Sequence, residues 1–154
     1  MVRTATSEDL ERINHLRKQV NDLHVTNRPD IFKPGFCQEL QDYAMEMIAA
    51  SDKDILVCER DGIICGIICA EYIHRAESPY TRAHSFYHIE EMVVDEAYRR
   101  QGVATELMDF AKNEAKRLGL PRVVLDAWAF NDDALAFYES VGMHVFRRML
   151  EMDV

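Results

Sequence analysis

The chain has 154 residues, with 18 lysines and arginines against 27 aspartates and glutamates, for a formal net charge of −9. That length suits one domain around one hydrophobic core, residues 1–154 forming a single unit. The acidic balance argues against a general nucleic-acid binder or a protein of anionic membranes, both of which need positive surface; it permits a cationic substrate without demanding one.

Residues 2–5 read as a short strand. Thr6 or Ser7 caps the next helix, and Thr6 with Asp9 has the form of a capping box with the shorter acid. Leu10, Ile13, Leu16, Val20 and Leu23 fall on one face at helical spacing. His15 and His24 lie on or beside this helix and read as surface or boundary residues. Pro29 and Pro34 bar a continuous helix through residues 25–35. Within that breaker, Ile31 and Phe32 either anchor the loop in the core or line a pocket. A second helix is predicted over residues 36–50, with Leu40, Ala44, Met47 and Ile48 inward. A loop and helix at this point suit substrate selection, because connections carry recognition.

Two strands, 55–59 and 63–74, are joined at Asp61-Gly62, a strong hairpin signal. The second is apolar almost without break as far as Ala70, which predicts a central strand covered on both faces. Gly66 marks either a bulge or close packing. A strand over 82–94 comes after a polar loop. Residues 102–118 form a helix with Val103, Leu107, Phe110, Ala111, Ala115 and Leu118 buried; Gly119 closes it and Pro121 prevents its resumption. A strand at 122–127 precedes a short helix at 132–140, capped by Asn131 and facing inward through Ala134, Phe137, Tyr138 and Val141. Residues 144–152 read as a last strand. The strand–helix–strand unit from Ile89 to Ala127 wants parallel pairing. The expected fold is α/β: a mixed, largely antiparallel sheet with a central parallel strand pair, flanked by helices.

Cys58, Cys65 and Cys69 lie in apolar strand-like runs and read as buried thiols; with Cys37 they show no zinc spacing, and no metal site is expected. The opening MVRTATSEDLE is not a signal peptide and no apolar run approaches membrane-spanning length, so a cytoplasmic location is the simplest expectation, with no nucleic acid and no membrane as partners.

The stretch 89–104, IEEMVVDEAYRRQGVA, passes from strand through a turn into a helix. Amides around Gly102, unpaired at the helix start, suit a phosphate; glycine lets the backbone come close to an anion, and small Ala104 keeps the first turn open. The same residues also fit an ordinary strand, turn and helix with surface arginines. No Gly-Lys-Ser/Thr succeeds the glycine, which excludes a P-loop kinase.

Three stretches together resemble the GCN5-related N-acetyltransferase family: VRTATSEDLERINHL; EEMVVDEAYRRQGVATELMDFA, with the signature Arg/Gln-x-x-Gly-x-Gly/Ala at Arg99, Gly102 and Ala104; and LDAWAFNDDALAFYESVGM, with an Asn-x-x-Ala-x-x-Phe-Tyr segment. The resemblance spans nearly the whole chain. It implies the acyl-CoA N-acyltransferase fold and acetyl-CoA as cofactor, leaving as CoA. Its pyrophosphate would lie on amides from Arg100 to Thr105, with Arg99, Arg100, Gln101, Gly102, Val103, Ala104 and Thr105 around it. Pantetheine would run beside Met92, Val93 and Val94, in a slot where a bulged fourth strand splays from the fifth. Asn131 would reach the pantetheine arm, Ala134 and Phe137 would line the site, and Tyr138 would face the thioester sulfur. Family members are often homodimers, and the last strand or exposed Phe146 and Met149 would join subunits.

Amine attack on a thioester needs a neutral amine, stabilisation of the carbonyl oxygen and a proton for the leaving thiolate. An amide such as that of Val93 suits the oxyanion and Tyr138 the proton. Glu91 is favoured as base over Glu90, with His88 and His74 behind them; consecutive strand residues point oppositely unless a bulge intervenes. No cysteine sits with a histidine in a nucleophilic setting, so direct attack in a ternary complex is expected. The expected activity is acetyl transfer to a primary amine of a small, cationic molecule. Acetylation of a protein or peptide N-terminus or lysine is the alternative, and a non-catalytic CoA-binding module the third reading.

Overall fold

The computed structural model describes residues 1–154. The elements run β1 (Val2–Thr4), α1 (Leu10–Asn27), α2 (Gln38–Ala49), β2 (Lys53–Arg60), β3 (Ile63–Arg75), β4 (His84–Val94), α3 (Val103–Arg117), β5 (Val123–Leu125) and α4 (Asp132–Ser140). They build one five-stranded sheet in sequence order, β1-β2-β3-β4-β5. The first three pairings are antiparallel, whereas β4 and β5 pair in parallel through the crossover helix α3.

Helices cover both faces. On one, Ile13 and Leu16 of α1 and Ala44 and Met47 of α2 pack on Ile55, Val57, Ile67, Cys69 and Val93. On the other, Val103, Leu107, Met108, Ala111 and Ala115 of α3 pack on Leu56, Cys58, Ile68, Ala70, Tyr87 and Ile89. β3 is buried without break from Ile64 to Ala70, as its apolar run predicts for a central strand.

Both readings of Gly66 hold. Cys65 has no opposite residue in the β2–β3 register, which makes it a bulge, and the helix beside it comes very close. A Cβ on Gly66 would lie 2.8 Å from Val103 Cγ1 and 3.1 Å from both Leu107 Cδ1 and Val93 O. The glycine therefore sets how near α3 can sit to the sheet.

The predicted Thr6–Asp9 capping box is formed, closing a 3₁₀ turn that leads into α1. Asp9 also binds Arg3 through two hydrogen bonds, at 2.7 and 2.9 Å. This ion pair ties the start of α1 to β1.

Three sequence expectations change. α1 continues through Asn27, so the breaker begins at Arg28, and its last apolar residue of the predicted stripe, Leu23, is exposed. The second helix starts at Gln38, two residues after the predicted start. The strand predicted over residues 144–152 is not formed: residues 143–154 have no regular structure, and most of their apolar side chains stand in solvent. Strand-like composition makes a strand only where the backbone pairs with a neighbour, and this segment pairs with none. With nothing beyond β5, the parallel pair stands at the edge of the sheet.

Candidate active site

The site begins where the sheet comes apart. β4 and β5 share three register positions, Tyr87↔Val123, His88↔Val124 and Ile89↔Leu125. β5 stops at Leu125, while β4 runs on to Val94. From Glu90 onward, the β4 edge that faced β5 has backbone groups without a strand partner. An extended chain of amides and carbonyls can pair there.

A bulge accompanies the separation. Opposite β4, Cys69 faces Glu91 and Ala70 faces Ile89, so Glu90 has no counterpart. The alternation of faces inverts across it: Tyr87 and Ile89 lie in the α3 layer, then Met92 and Val94 do, while Val93 joins the α1–α2 layer. Glu90 and Glu91 consequently point to the same side. Glu90 Oε2 accepts from the Tyr43 hydroxyl of α2 at 2.7 Å, and its Oε1 lies 3.5 Å from Lys53 Nζ. Glu91 accepts two hydrogen bonds from Arg17 of α1, at 3.0 and 3.2 Å.

Arg17 is buried at 2% exposure. It also donates to Asn14 and to the Leu40 carbonyl, and its guanidinium lies 5.6 Å from the Phe36 ring centre and 5.5 Å from that of Tyr43. Burial works against its charge, but the Glu91 hydrogen bond and charge outweigh it and raise the guanidinium pKa. Sequence reading missed Arg17, Tyr43 and Lys53. The signal for Arg17 was present: it lies four residues after Ile13 and three before Val20, inside the apolar stripe of α1.

Beyond Glu90 the polar groups continue across the sheet. Lys53 contacts the Tyr43 hydroxyl at 2.8 Å and Glu71 at 3.6 Å; Glu71 lies 3.3 Å from His88 Nδ1, and His88 Nε2 lies 3.7 Å from Asp126. The Tyr43 hydrogen bond, together with the Glu90 and Glu71 charges, holds Lys53 protonated well above its ordinary range, against the cost of its burial. His74 stands apart from this chain and contacts Ser85 at 2.7 Å.

At the other end of the slot, Asp95 accepts from the Ala97 amide at 2.9 Å and closes a 3₁₀ turn at Glu96–Tyr98. Arg100 and Gly102 then take left-handed backbone, with φ of 62° and 81°. The first helical bond of α3 is donated by Glu106 to Gly102 O at 3.0 Å. The amides of Val103, Ala104 and Thr105 precede it and have no acceptor within the helix. No side chain caps this helix start, and a Cβ on Gly102 would meet nothing within 4 Å. Val103 is itself buried, so only its amide serves the turn. Arg99 and Arg100 are exposed around it; Arg99 reaches back to Val94 O at 3.4 Å, and Gln101 donates to Ala97 O at 3.0 Å. An open turn of unpaired donors with positive charge at its rim fits a pyrophosphate.

On α4, Asn131 Oδ1 accepts from the Ala134 amide at 3.3 Å, which makes it the cap. Ala134 is half-buried, and Phe137 and Tyr138 pack on the α3 layer with their rings 5.6 Å apart. The Tyr138 hydroxyl makes no hydrogen bond within the protein, and burial pushes its pKa above the ordinary phenol value. It therefore holds its proton through neutral pH and is free to give it to a bound group.

An aromatic cluster stands beside the carboxylates. His24 stacks on Phe32 at 5.0 Å, Phe32 meets Trp128 edge-on at 5.4 Å, and Trp128 stacks on Phe130 at 5.9 Å. Burial lowers the His24 pKa, opposed in part by the charge of Glu91. Phe32 is thus joined to an aromatic wall between the α1–α2 loop and the segment after β5. Trp128 and Phe130 carried no signal that separated them from an ordinary loop. No group of three or more metal-ligating side chains is close enough to hold an ion.

A sequence model of the Acetyltransferase (GNAT) family matches residues 17–143. Over 91 residues the chain is 29% identical to N-alpha-acetyltransferase 30 of Schizosaccharomyces pombe, covering 59% of this chain and 57% of that protein. Over 121 residues it is 26% identical to L-ornithine N5-acetyltransferase NATA1 of Arabidopsis thaliana, covering 77% of this chain and 51% of that protein. The chain thus spans about half the length of the curated relatives it matches. A crystal structure of a mutant BH1408 protein from Bacillus halodurans superimposes with a TM-score of 0.96 at 24% identity, over 100% of this chain and 99% of that one, which establishes the shared fold. Matched over most of its length, the chain belongs to the Acetyltransferase (GNAT) family.

Proposed function

We propose that the protein transfers an acetyl group from acetyl-CoA to a primary amine of a small, cationic molecule by direct attack in a ternary complex. The observation that carries this reading is the separation of β4 from β5 after Ile89↔Leu125, with the open turn at Gly102 at one end and two carboxylates at the other. Bound acetyl-CoA would supply the acetyl group as an activated thioester. Amides of Val103, Ala104 and Thr105, with Arg99 and Arg100, would hold its pyrophosphate, and Met92, Val93 and Val94 would align its pantetheine. Tyr138 Oη would give its proton to the departing sulfur.

The two carboxylates divide the remaining work. Glu91 has both oxygens occupied by the Arg17 guanidinium, and so serves to position Arg17 and to place negative charge near the amine. Glu90 accepts one hydrogen bond from a hydroxyl and lies 3.5 Å from a lysine, which leaves lone pairs open to take the proton of the amine, directly or through a water. The preference for a cationic acceptor rests on Glu90, Glu91, Glu71 and Asp126 gathered on one side of the slot, on the net charge of −9, and on the ornithine acetyltransferase among the relatives. The N-alpha-acetyltransferase relative favours a second reading, a peptide N-terminus as acceptor.

The test is thiol release from acetyl-CoA with a panel of putrescine, spermidine, L-ornithine, L-lysine, an aminoglycoside and short peptides with free N-termini. Turnover with the small diamines or amino acids is expected. Turnover with peptides alone would replace the small-molecule reading by the second one, and turnover with no amine would remove the catalytic reading.

A further inference from the structure

The turn between β4 and α3 holds a backbone that its residues do not favour by themselves. Arg100 sits in the left-handed region at φ 62°, two residues before Gly102, although it carries a Cβ. Such a conformation persists where the surroundings fix it.

Bonds within the turn supply part of the restraint. The Asp95 amide donates to Cys65 O at 2.9 Å, the Ala97 amide donates to Asp95 Oδ1 at 2.9 Å, and Gln101 Nε2 donates to Ala97 O at 3.0 Å. These bonds run from the end of β4 to the residue before Gly102. They begin at Asp95, so whatever holds the Asp95 carboxylate also steadies the turn.

That carboxylate is held from a distant element. Arg12, in the first turn of α1 and 83 residues away in sequence, donates through Nη2 to Asp95 Oδ2. Its Nε donates to Ile64 O of β3 at 2.8 Å. Ile64 lies just past Gly66↔Val94, where β3 and β4 stop pairing, and beside the Cys65 bulge. One planar guanidinium thus joins α1, β3 and the turn. Both side chains are partly shielded from solvent, so the pair is worth more than a surface contact. Asp95 divides its oxygens, Oδ1 to the turn and Oδ2 to Arg12. Burial works against its charge, but the Ala97 amide and Arg12 outweigh it and hold the carboxyl below its ordinary range.

We propose that Arg12 is a positioning residue for the cofactor: through Asp95 it holds the β4–α3 turn in the shape whose bare amides at Val103, Ala104 and Thr105 take a pyrophosphate. The inference rests on the proposed assignment of that turn and extends it to a residue of α1. The same helix then serves both ends of the slot, with Arg12 steadying the cofactor turn and Arg17 holding Glu91. The α1 staple acts on the phosphates and not on the pantetheine arm, which lies along β4 itself.

Two ligands separate these roles: CoA, which carries the diphosphate, followed by titration calorimetry, and pantetheine, which has none, followed by heteronuclear NMR shifts. Arg12→Ala should weaken CoA binding by about tenfold and leave pantetheine binding within about twofold. Arg12→Lys, which can reach one acceptor but not both at once, should fall between wild type and Arg12→Ala, and serves in its place if the alanine variant does not fold. If Arg12 acts through Asp95, the double variant Arg12→Ala/Asp95→Ala should bind CoA no more weakly than Asp95→Ala alone. Equal losses for CoA and pantetheine would show a merely structural role and overturn the proposal, as would additive losses in the double variant. Wild-type protein that binds no CoA would remove the assignment of the turn and this inference with it. Wild type that binds CoA, with Arg12→Ala binding equally well, would overturn this inference alone.

Discussion

Tyr138 has the properties of a proton donor before any ligand is considered: a half-buried ring, a hydroxyl with no partner in the protein, and a pKa raised by burial. Tyr138→Phe keeps the ring packing and removes only the proton. Steady-state kinetics should show kcat reduced by about 100-fold, with CoA affinity within about twofold of wild type. An unchanged kcat would take Tyr138 out of the acid role. Arg17 carries a different burden. Arg17→Ala would leave Glu91 without its counter-charge and the Leu40 carbonyl without a donor, at a cost of about 3 kcal/mol. For a chain of this length that is a fall of roughly 6–12 °C in Tm by calorimetry. Adding Glu91→Gln should recover part of the loss, because the stranded charge is then gone; a strictly additive double mutant would contradict the coupling.

Single elements place these residues. α3 begins at the open turn proposed to hold the pyrophosphate, and its distance from the sheet is fixed by Gly66 against Val103 and Leu107. Gly66→Ala would push a methyl into Val103 Cγ1 and the Val93 carbonyl, costing about 1–3 kcal/mol. Because Val103 and Val93 both border the site, CoA affinity should fall with stability in the same variant; a destabilised protein with intact affinity would separate the two. The start of α1 depends on Asp9, whose carboxyl the Arg3 hydrogen bonds hold down at about 2 against the cost of its burial. A carboxyl with a lowered folded-state pKa contributes stability that is full above its ordinary value near 3.8 and is lost as pH falls towards about 2. Asp9→Asn should therefore lower Tm by several degrees at pH 7. The gap should narrow below about pH 4 and close near pH 2; a gap that persists at pH 2 would assign the effect to packing.

At the scale of the molecule, much was legible in the chain. The unbroken apolar run of β3 announced a central strand, Asp61-Gly62 its hairpin, and Gly119 and Gly142 the ends of α3 and α4, because local backbone requirements and burial on two faces leave direct marks on residue choice. The open turn before α3 was legible for the same reason, since one glycine at φ 81° is a local demand. Hidden from the sequence is what several elements make together. The tyrosine and lysine that meet Glu90 from α2 and β2, and the aromatic wall of His24, Phe32, Trp128 and Phe130, each join residues far apart in sequence, whereas the bulge in β4 was implied by the family resemblance. The strand predicted over 144–152 failed in a related way: its composition suits a strand, but its backbone makes no ladder with β5.

Under the proposed function, cofactor binding depends most on the open turn before α3 holding a pyrophosphate and on the separated β4 edge holding the pantetheine arm. Titration calorimetry with CoA measures this directly, on the wild-type chain and on Gly102→Val. The side chain there would enter open space but would strain a backbone at φ 81° and crowd the bare amides. One CoA should bind per chain of wild type, and the variant should bind at least about tenfold more weakly with its fold retained. No binding by the wild type, or equal affinity in both, would contradict the phosphate-turn assignment.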